Sequence, residues 1–296
     1  MRRAGCPSAA EQRLGAAAVR ALYVELTLEP KPGLVSLRDT GSHADMDAAT
    51  FVRSLFALRH YFPRIAQAGA RGAPFAALRA LGVEAEARML SATGGVNTHR
   101  GAVFLLGLLC AAGGRLLAQR RALDAGSVRE SMRQGWGREL AAHAAGLNSA
   151  PPRSNGQRAA RAHGLRSACD EAAAGFPTLF DVTLPALQAA RRSGLPERQA
   201  RVQALFETIA ALDDTNLVHR GGIDGLRFAQ RSAADFVAGG GVRRPDWLER
   251  GRALHAEFVA RRLSPGGAAD LLGAACWLEA VTAPVPAALP QAELVP

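Results

Sequence analysis

The sequence predicts an all-α protein, one compact domain of about ten helices. Aromatic residues make up only 5% of it and β-branched residues are sparse, while Ala, Leu, Arg and Glu dominate. Glycine and proline clusters punctuate the apolar patterns at helix-length intervals. With 296 residues, 48% of them hydrophobic, the chain can bury a full core unaided, which excludes disorder as its main state.

The first helical pattern stops at Pro30-Lys31-Pro32-Gly33. The next begins near Ala48, where Phe51, Leu55, Leu58 and Phe62 share one face and Arg53 and Arg59 lie elsewhere on the cylinder. A break from Gly69 to Pro74 and another at Thr93-Gly94-Gly95 bound the pattern that follows. The most apolar stretch, Gly101 to Gly114, is shorter than the roughly 20 residues of a bilayer span and runs into Arg115, so it predicts a buried helix and no membrane anchor. Stops at 151–156, Phe176-Pro177, 193–196, His219 to Gly222, 239–241 and 264–267 divide the remainder. Ser149 to Gly156 is the best linker candidate, but helical patterning continues on both sides. The domain is therefore taken as 1–282, with no repeat pattern, and the proline-rich 283–296 as an extended or frayed tail.

The net charge of +10 and pI near 10.9 imply an anionic partner without choosing among nucleic acid, an acidic membrane and a small polyphosphate. Of the 36 lysines and arginines, Lys31 is the only lysine. Cys6, Cys110, Cys169 and Cys276 form no CxxC pair, which suits free thiols in a reducing compartment, with most of them in the core. Met1-Arg2-Arg3 leads into Cys6, Pro7, Glu11 and Arg13 instead of an apolar run, so the expected location is the cytoplasm.

Four segments carry chemistry. In Glu29 to Val35 two prolines stiffen the chain beside Lys31, and Gly33 permits a positive φ or a close backbone approach. The pattern fits a helix stop as well as a presented phosphate ligand; persistence of one lysine amid arginines favours the ligand. In Gly41 to Asp47, either acid can cap the helix near Ala48. With His43 and Glu25, the pair Asp45 and Asp47 can also hold a divalent cation.

The third segment, Thr93 to Gly101, offers Asn97 or Thr98 as helix cap, Gly94 and Gly95 as exposed backbone, and His99 and Arg100 as cationic or potentially cationic groups at a positive helix end. A bound anion reconciles these features; a glycine turn with a surface arginine is the plainer account. In the fourth, Asp213 and Asp214 follow the amphipathic stripe of Leu205, Ile209 and Leu212, near the negative end of that helix, where a cation would offset them. Asp214 or Thr215 capping the next turn is the alternative, and Asn216 and Arg220 follow before Gly221-Gly222. A weaker segment holds Arg166 and Glu171, whose five-residue spacing does not require them to pair. No GxxxxGK[ST], GxGxxG after a strand, HExxH or GxSxG is present, which removes the common nucleotide, hydride, zinc-protease and serine-hydrolase readings.

PKPGLVS with GSHADMD, then GGVNTHRGAVF, EAAAGFP and DTNLVHRGG, resemble in order and spacing the triphosphoribosyl-dephospho-coenzyme A synthases. The resemblance runs from about Ala17 to Trp277, and the DTNLVHRGG form is more similar to the branch serving malonate decarboxylase than to the one serving citrate lyase. Arg100 stands where lysine is common in the family, and Ser167 to Asp170 is less typical of it.

The resemblance implies an all-helical pentosyltransferase that moves the triphosphoribosyl part of ATP to the 2′-hydroxyl of 3′-dephospho-coenzyme A and releases adenine. The product is the precursor of a prosthetic group that a further transferase attaches to an acyl carrier subunit. Lys31, Gly94, Gly95, Asn97, Thr98, Arg100, Asn216 and Arg220 are then the expected phosphate and substrate contacts. Asp45, Asp47, Asp213 and Asp214 are expected to hold Mg²⁺, with Asp45 and Asp214 also as candidate bases and His43 and His99 as orienting or proton-transfer groups. A helical prenyl-diphosphate enzyme would want a third acid where Leu217 and Val218 stand, and a nucleic-acid binder would cluster its arginines with aromatics; both are disfavoured.

Overall fold

The computed structural model describes residues 5–152 and 154–283; the expected tail at 284–296 lies outside the described residues. Thirteen α-helices and no strand occur among these residues, so the all-α expectation holds and the helix count is higher than the sequence suggested. Helix α1 (Ala9–Thr27) opens on a capping box in which Ser8 and Glu11 satisfy each other's backbone N–H groups. Asp47 and Thr50 do the same for α2 (Ala48–Leu58).

The single stripe read across Phe51 to Phe62 is in fact shared between two helices, α2 and α3 (Tyr61–Ala70). Pro63 has no N–H to offer the Arg59 carbonyl, and its ring crowds that carbonyl, so α2 cannot continue through it. Leu55, Leu58 and Phe62 are nonetheless buried together.

After α4 (Phe75–Ala92) comes α5 (Arg100–Ala118), the centre of the bundle, packed against α1, α3, α4, α6 (Ala125–Ser149) and α13 (Gly266–Thr282). Its 19 residues are long and apolar enough to cross a membrane by length and composition, yet 72% of that window is buried inside the protein. It is a core helix, as expected. The polar tips of the core aromatics are all used: Tyr61 donates to the Val103 carbonyl, Trp136 to that of Ala73 and Trp277 to that of Leu14.

The second half adds α7 (Asn155–His163), the short α8 (Ala168–Ala173), a π-helical turn at Thr178–Thr183, α9 (Leu184–Arg192), α10 (Glu197–Ala211), α11 (Thr215–Ala238) and α12 (Trp247–Ala260). The expected break at His219 to Gly222 is a kink inside α11, where Gly222 leaves helical geometry. One hydrophobic core runs through both halves, across the proposed linker at Ser149 to Gly156. Cys110 is fully buried, whereas Cys169 and Cys276 are half-buried and Cys6 is exposed, so only one of the thiols expected inside is fully enclosed.

This packing gathers the C-terminus of α1 and the N-termini of α5, α11 and α13 at one end of the bundle.

Candidate active site

Lys31 lies at the centre of that end. Instead of projecting from its loop, it is 2% exposed, and its ammonium donates to Glu25 Oε1 at 2.6 Å and to the Glu25 carbonyl at 2.8 Å. Burial pushes the ammonium's pKa down while Glu25 pulls it back up. The loop is held inward at Gly33, whose φ is +66°; a β-carbon there would stand 1.9 Å from the Leu263 carbonyl oxygen. Both sequence-level reasons for glycine at this position therefore apply.

The second segment packs on the same floor. Ser42 donates its N–H to the Gly33 carbonyl at 3.0 Å and its hydroxyl to the Leu263 carbonyl at 2.6 Å. His43 Nε2 contacts Ser264 Oγ at 3.0 Å, and Nδ1 contacts Arg220 at 2.9 Å. Arg220 also donates to the Ser42 carbonyl, which joins the second and fourth segments. Burial and the Arg220 charge both lower the His43 pKa. Asp45 remains outside, 61% exposed and 3.6 Å from His43.

His99, and neither Asn97 nor Thr98, is the N-cap of α5; the Asn97 side chain instead accepts the Arg100 N–H, forming a local turn just ahead of the helix. His99 is also not the cationic group the sequence suggested. Burial, then the nearby Lys31 charge, lower its pKa to about 3, so the ring is neutral. Its Nδ1 meets the Ser54 hydroxyl at 2.7 Å, and Phe51 packs edge-on against it at 4.9 Å between centroids. Gly94 and Gly95 have positive φ values, and Arg100 turns outward to pair with Glu86.

Asp214 caps α11, and this plainer alternative is what the geometry displays. One of its oxygens accepts the Asn216 N–H at 2.9 Å, and the other accepts those of Gly267 and Ala268 at 2.8 and 3.2 Å. One carboxylate thus serves two helix N-termini, with their dipoles in place of a cation. Burial raises its pKa, and the three backbone donors lower it. Asp213 approaches Gln230, and Asn216 lies against Gly266.

Asp270, in the first two turns of α13, escaped the sequence reading. Its carboxylate is packed against Gly101, where a β-carbon would stand 2.0 Å from Oδ2, and the Ala102 N–H faces it. Burial raises its pKa well above the usual range, and Glu25 and Asp214 push in the same direction. Among these three acids Glu25 has Lys31 and Asp214 has three donors, which leaves Asp270 the least compensated. The available signal was a lone acid between Gly266 and Trp277, an otherwise apolar helix. Ser54, fully buried behind His99, was missed as well.

The acids expected to hold Mg²⁺ do not gather round one point. Asp47 Oδ1 is engaged by Thr50, Asp214 by backbone, Asp45 is exposed beside His43, and Asp213 lies against Gln230. Among the described residues no group of three or more His, Cys, Asp or Glu side chains is arranged to hold a metal ion. Arg166 and Glu171, whose spacing does not require a pair, do pair at 3.3 Å, because α8 begins between them and folds one back on the other. Outside the Lys31 loop, a cavity of about 240 Å³ is lined by Glu29, Arg38, Asp39, Arg252 and His255. There Glu29 draws in Arg38, Arg198 and Arg252.

A family model described as ATP:dephospho-CoA triphosphoribosyl transferase matches residues 11–287. The probable 2-(5″-triphosphoribosyl)-3′-dephosphocoenzyme-A synthase of Acinetobacter calcoaceticus is 41% identical over 262 residues, 88% of each chain. Its counterpart in Vibrio cholerae serotype O1 is 39% identical over 271 residues, covering 90% of this chain and 86% of its own. That of Salmonella typhimurium is 38% identical over 277 residues, 92% and 91% of the two chains. No solved structure matches.

Proposed function

Because this chain belongs to the ATP:dephospho-CoA triphosphoribosyl transferase family, and so is a transferase, we propose that it transfers the triphosphoribosyl group of ATP to the 2′-hydroxyl of 3′-dephospho-coenzyme A, releasing adenine. The observation that carries this reading is the meeting of Glu25, Lys31, His99, Asp214 and Asp270, from four separate stretches of sequence, beneath three helix N-termini. Such an end combines carboxylates for a cationic reacting carbon with amide dipoles and a lysine for phosphates.

The reaction breaks the bond between ribose C1 and the adenine nitrogen, and its transition state has oxocarbenium character, as in glycoside hydrolysis. The attacking 2′-oxygen forms the new bond to C1 and gives up its proton, for which Asp214 is the proposed acceptor; the electron pair of the broken bond leaves with adenine, which takes up a proton. Lys31, Arg100 and Arg220, with the Gly94 to Thr98 backbone and Asn216, are the proposed contacts for the two polyphosphate substrates. His43 and His99 orient them. Mg²⁺ is proposed to arrive with ATP, since such ions keep several waters and bind through substrate phosphates with one or two carboxylates. Asp45 and Asp213 are the acids least engaged elsewhere.

The DTNLVHRGG stretch at 214–222 supports a role for the product in the acyl carrier subunit of malonate decarboxylase, attached by a separate transferase in the cytoplasm; citrate lyase is the alternative destination. Incubation with ATP, Mg²⁺ and 3′-dephospho-coenzyme A, followed by mass detection, is expected to yield adenine and the triphosphoribosyl adduct in equal amounts. Absence of both overturns the proposal.

A further inference from the structure

We infer that Ser54 is a positioning residue that fixes His99 as the tautomer with its proton on Nε2, and that this N–H is held for a lone pair of the bound nucleotide. The inference rests on the reading of this site as the ATP site.

The hydrogen-bond inventory decides the tautomer. Ser54 is fully buried in α2, and its hydroxyl meets His99 Nδ1 at 2.7 Å and makes no other hydrogen bond among the described residues. If the hydroxyl donates, Nδ1 accepts and the ring proton is on Nε2, where one buried group, that N–H, is left without a partner. If instead Nδ1 carries the proton, the serine O–H and the Nε2 lone pair are both left buried and unpaired. Burial makes every unpaired polar group costly, so the first arrangement wins. The ring cannot escape by charging, since burial and Lys31 together hold it neutral.

What remains is an anomaly that asks for a partner. Among the described residues His99 Nε2 is buried with no hydrogen-bond partner, and so is the hydroxyl of the adjacent Thr98. Phe51 fixes the ring plane edge-on, and the His99 backbone N–H is turned toward the Met89 sulfur, so the imidazole has no freedom to find an acceptor within the protein. Native interiors rarely leave such groups unmatched, and those that remain mark ligands or catalytic roles. These two lie at the start of α5, where the helix N-terminus already favours an electron-rich ligand. A neutral N–H donor suits an atom that gains electron density as the glycosidic bond breaks, because it stabilises that atom without first having to be charged. The acceptor is therefore a ring nitrogen of the departing purine of ATP.

The test begins with ¹⁵N NMR of histidine-labelled protein, the His99 signals being assigned by their loss in His99→Gln. The expected spectrum has a protonated Nε2 and an unprotonated Nδ1 in wild type, and a shift of the Nε2–H signal on adding ATP with Mg²⁺ but no acceptor substrate. A protonated Nδ1, or an Nε2–H signal that ATP leaves unmoved, overturns the inference, whether or not the protein turns over. In turnover, Ser54→Ala is expected to lower kcat for adenine release about tenfold. His99→Gln, whose amide reaches the Nε2 position, retains more activity than His99→Asn. In the His99→Gln background Ser54→Ala costs less than about twofold, since the two act as one unit. An equal loss from Ser54→Ala in both backgrounds overturns the positioning role. Use of 1-deaza-ATP, 3-deaza-ATP and 7-deaza-ATP identifies the acceptor: the ATP-induced Nε2–H shift disappears with the analogue that lacks the bound nitrogen, and a shift that persists with all three overturns the purine assignment.

Discussion

The Lys31 ammonium and the Glu25 carboxylate form an ion pair of 2.6 Å with 1% and 6% of their side chains exposed. Such a pair gains little over an apolar substitute, but breaking it leaves an uncompensated charge in the interior. Lys31→Met alone and Glu25→Gln alone are each expected to destabilise the fold by about 3–5 kcal/mol in denaturant titrations. The double variant Lys31→Met with Glu25→Leu should recover most of that loss. Activity should not return with it if the ammonium also meets phosphate. Lys31→Arg keeps the charge but puts a larger planar head in place of a compact ammonium at a buried site, and is expected to lower both stability and kcat/KM.

Gly101 and Asp270 make a second tight pair. A methyl group at Gly101 would stand 2.0 Å from Asp270 Oδ2, so Gly101→Ala should cost about 1–3 kcal/mol through overpacking and displace the carboxylate. Asp270→Ala introduced into that variant removes the clash, and the double variant is expected to be more stable than the sum of the single losses requires. Additive losses would show that the contact is not tight. Urea unfolding of the four proteins measures this.

The neutral state of His99 makes a pH-dependent contribution whose sign is fixed. Its folded pKa of about 3 is below the ordinary 6.5, so the unfolded chain takes up a proton that the folded one refuses. Stability is fully present above about 6.5 and is lost as pH falls toward 3, with a slope of up to about 1.4 kcal/mol per pH unit from this residue. Asp270 acts in the opposite sense, because its raised pKa favours the folded state at low pH and loses that contribution as pH rises through the folded value. The His99 share is isolated as the difference between wild type and His99→Gln, measured by denaturation from pH 4 to 8; a flat difference contradicts the burial.

Glu171 and Arg166 separate a buried hydrogen-bonded acid from an exposed partner. The Glu171 carboxylate accepts the Thr178 N–H at 3.2 Å and its hydroxyl at 3.1 Å, at the start of the π-helical turn. Arg166, 53% exposed, adds only a surface ion pair. Glu171→Ala is expected to cost about 1–3 kcal/mol and Arg166→Ala less than about 1, read from thermal melts of each variant.

Local chemistry was legible in the sequence where it is written in neighbouring residues. The Gly33 turn, the Asp47 cap and the kink before Ile223 follow from residue types within a few positions of one another. Lys31 stood out by composition, but its burial did not, because the partner that encloses it is on the preceding helix and nothing local specifies that the loop folds back. Asp270 and Ser54 are single polar residues in apolar helices, and their meaning arises only when α13 meets α5 and α2 meets the start of α5. The α2–α3 boundary was hidden because apolar spacing continues in phase across it, while Pro63 ends the hydrogen-bond ladder. The Asp45, Asp47, Asp213 and Asp214 set is legible in sequence only as four acids: Asp47 and Asp214 cap helices while Asp45 is exposed beside His43, a division that depends on where the helices begin.

Asp214→Asn tests the carboxylate on which stability and chemistry both depend. An amide keeps one oxygen acceptor but replaces the other with an N–H₂ donor, which cannot accept from Asn216 on one side and from Gly267 and Ala268 on the other. One of the two helix N-termini then loses its cap, an expected cost of about 0.5–2 kcal/mol. If Asp214 also takes the proton of the attacking hydroxyl, adenine release should fall a further ~10²-fold or more, the usual worth of a positioned base. Stability and turnover distinguish the roles. A variant that melts lower yet releases adenine at the wild-type rate below its melting point would leave Asp214 as a double helix cap alone, and the base would have to be sought at Asp45 or Asp270.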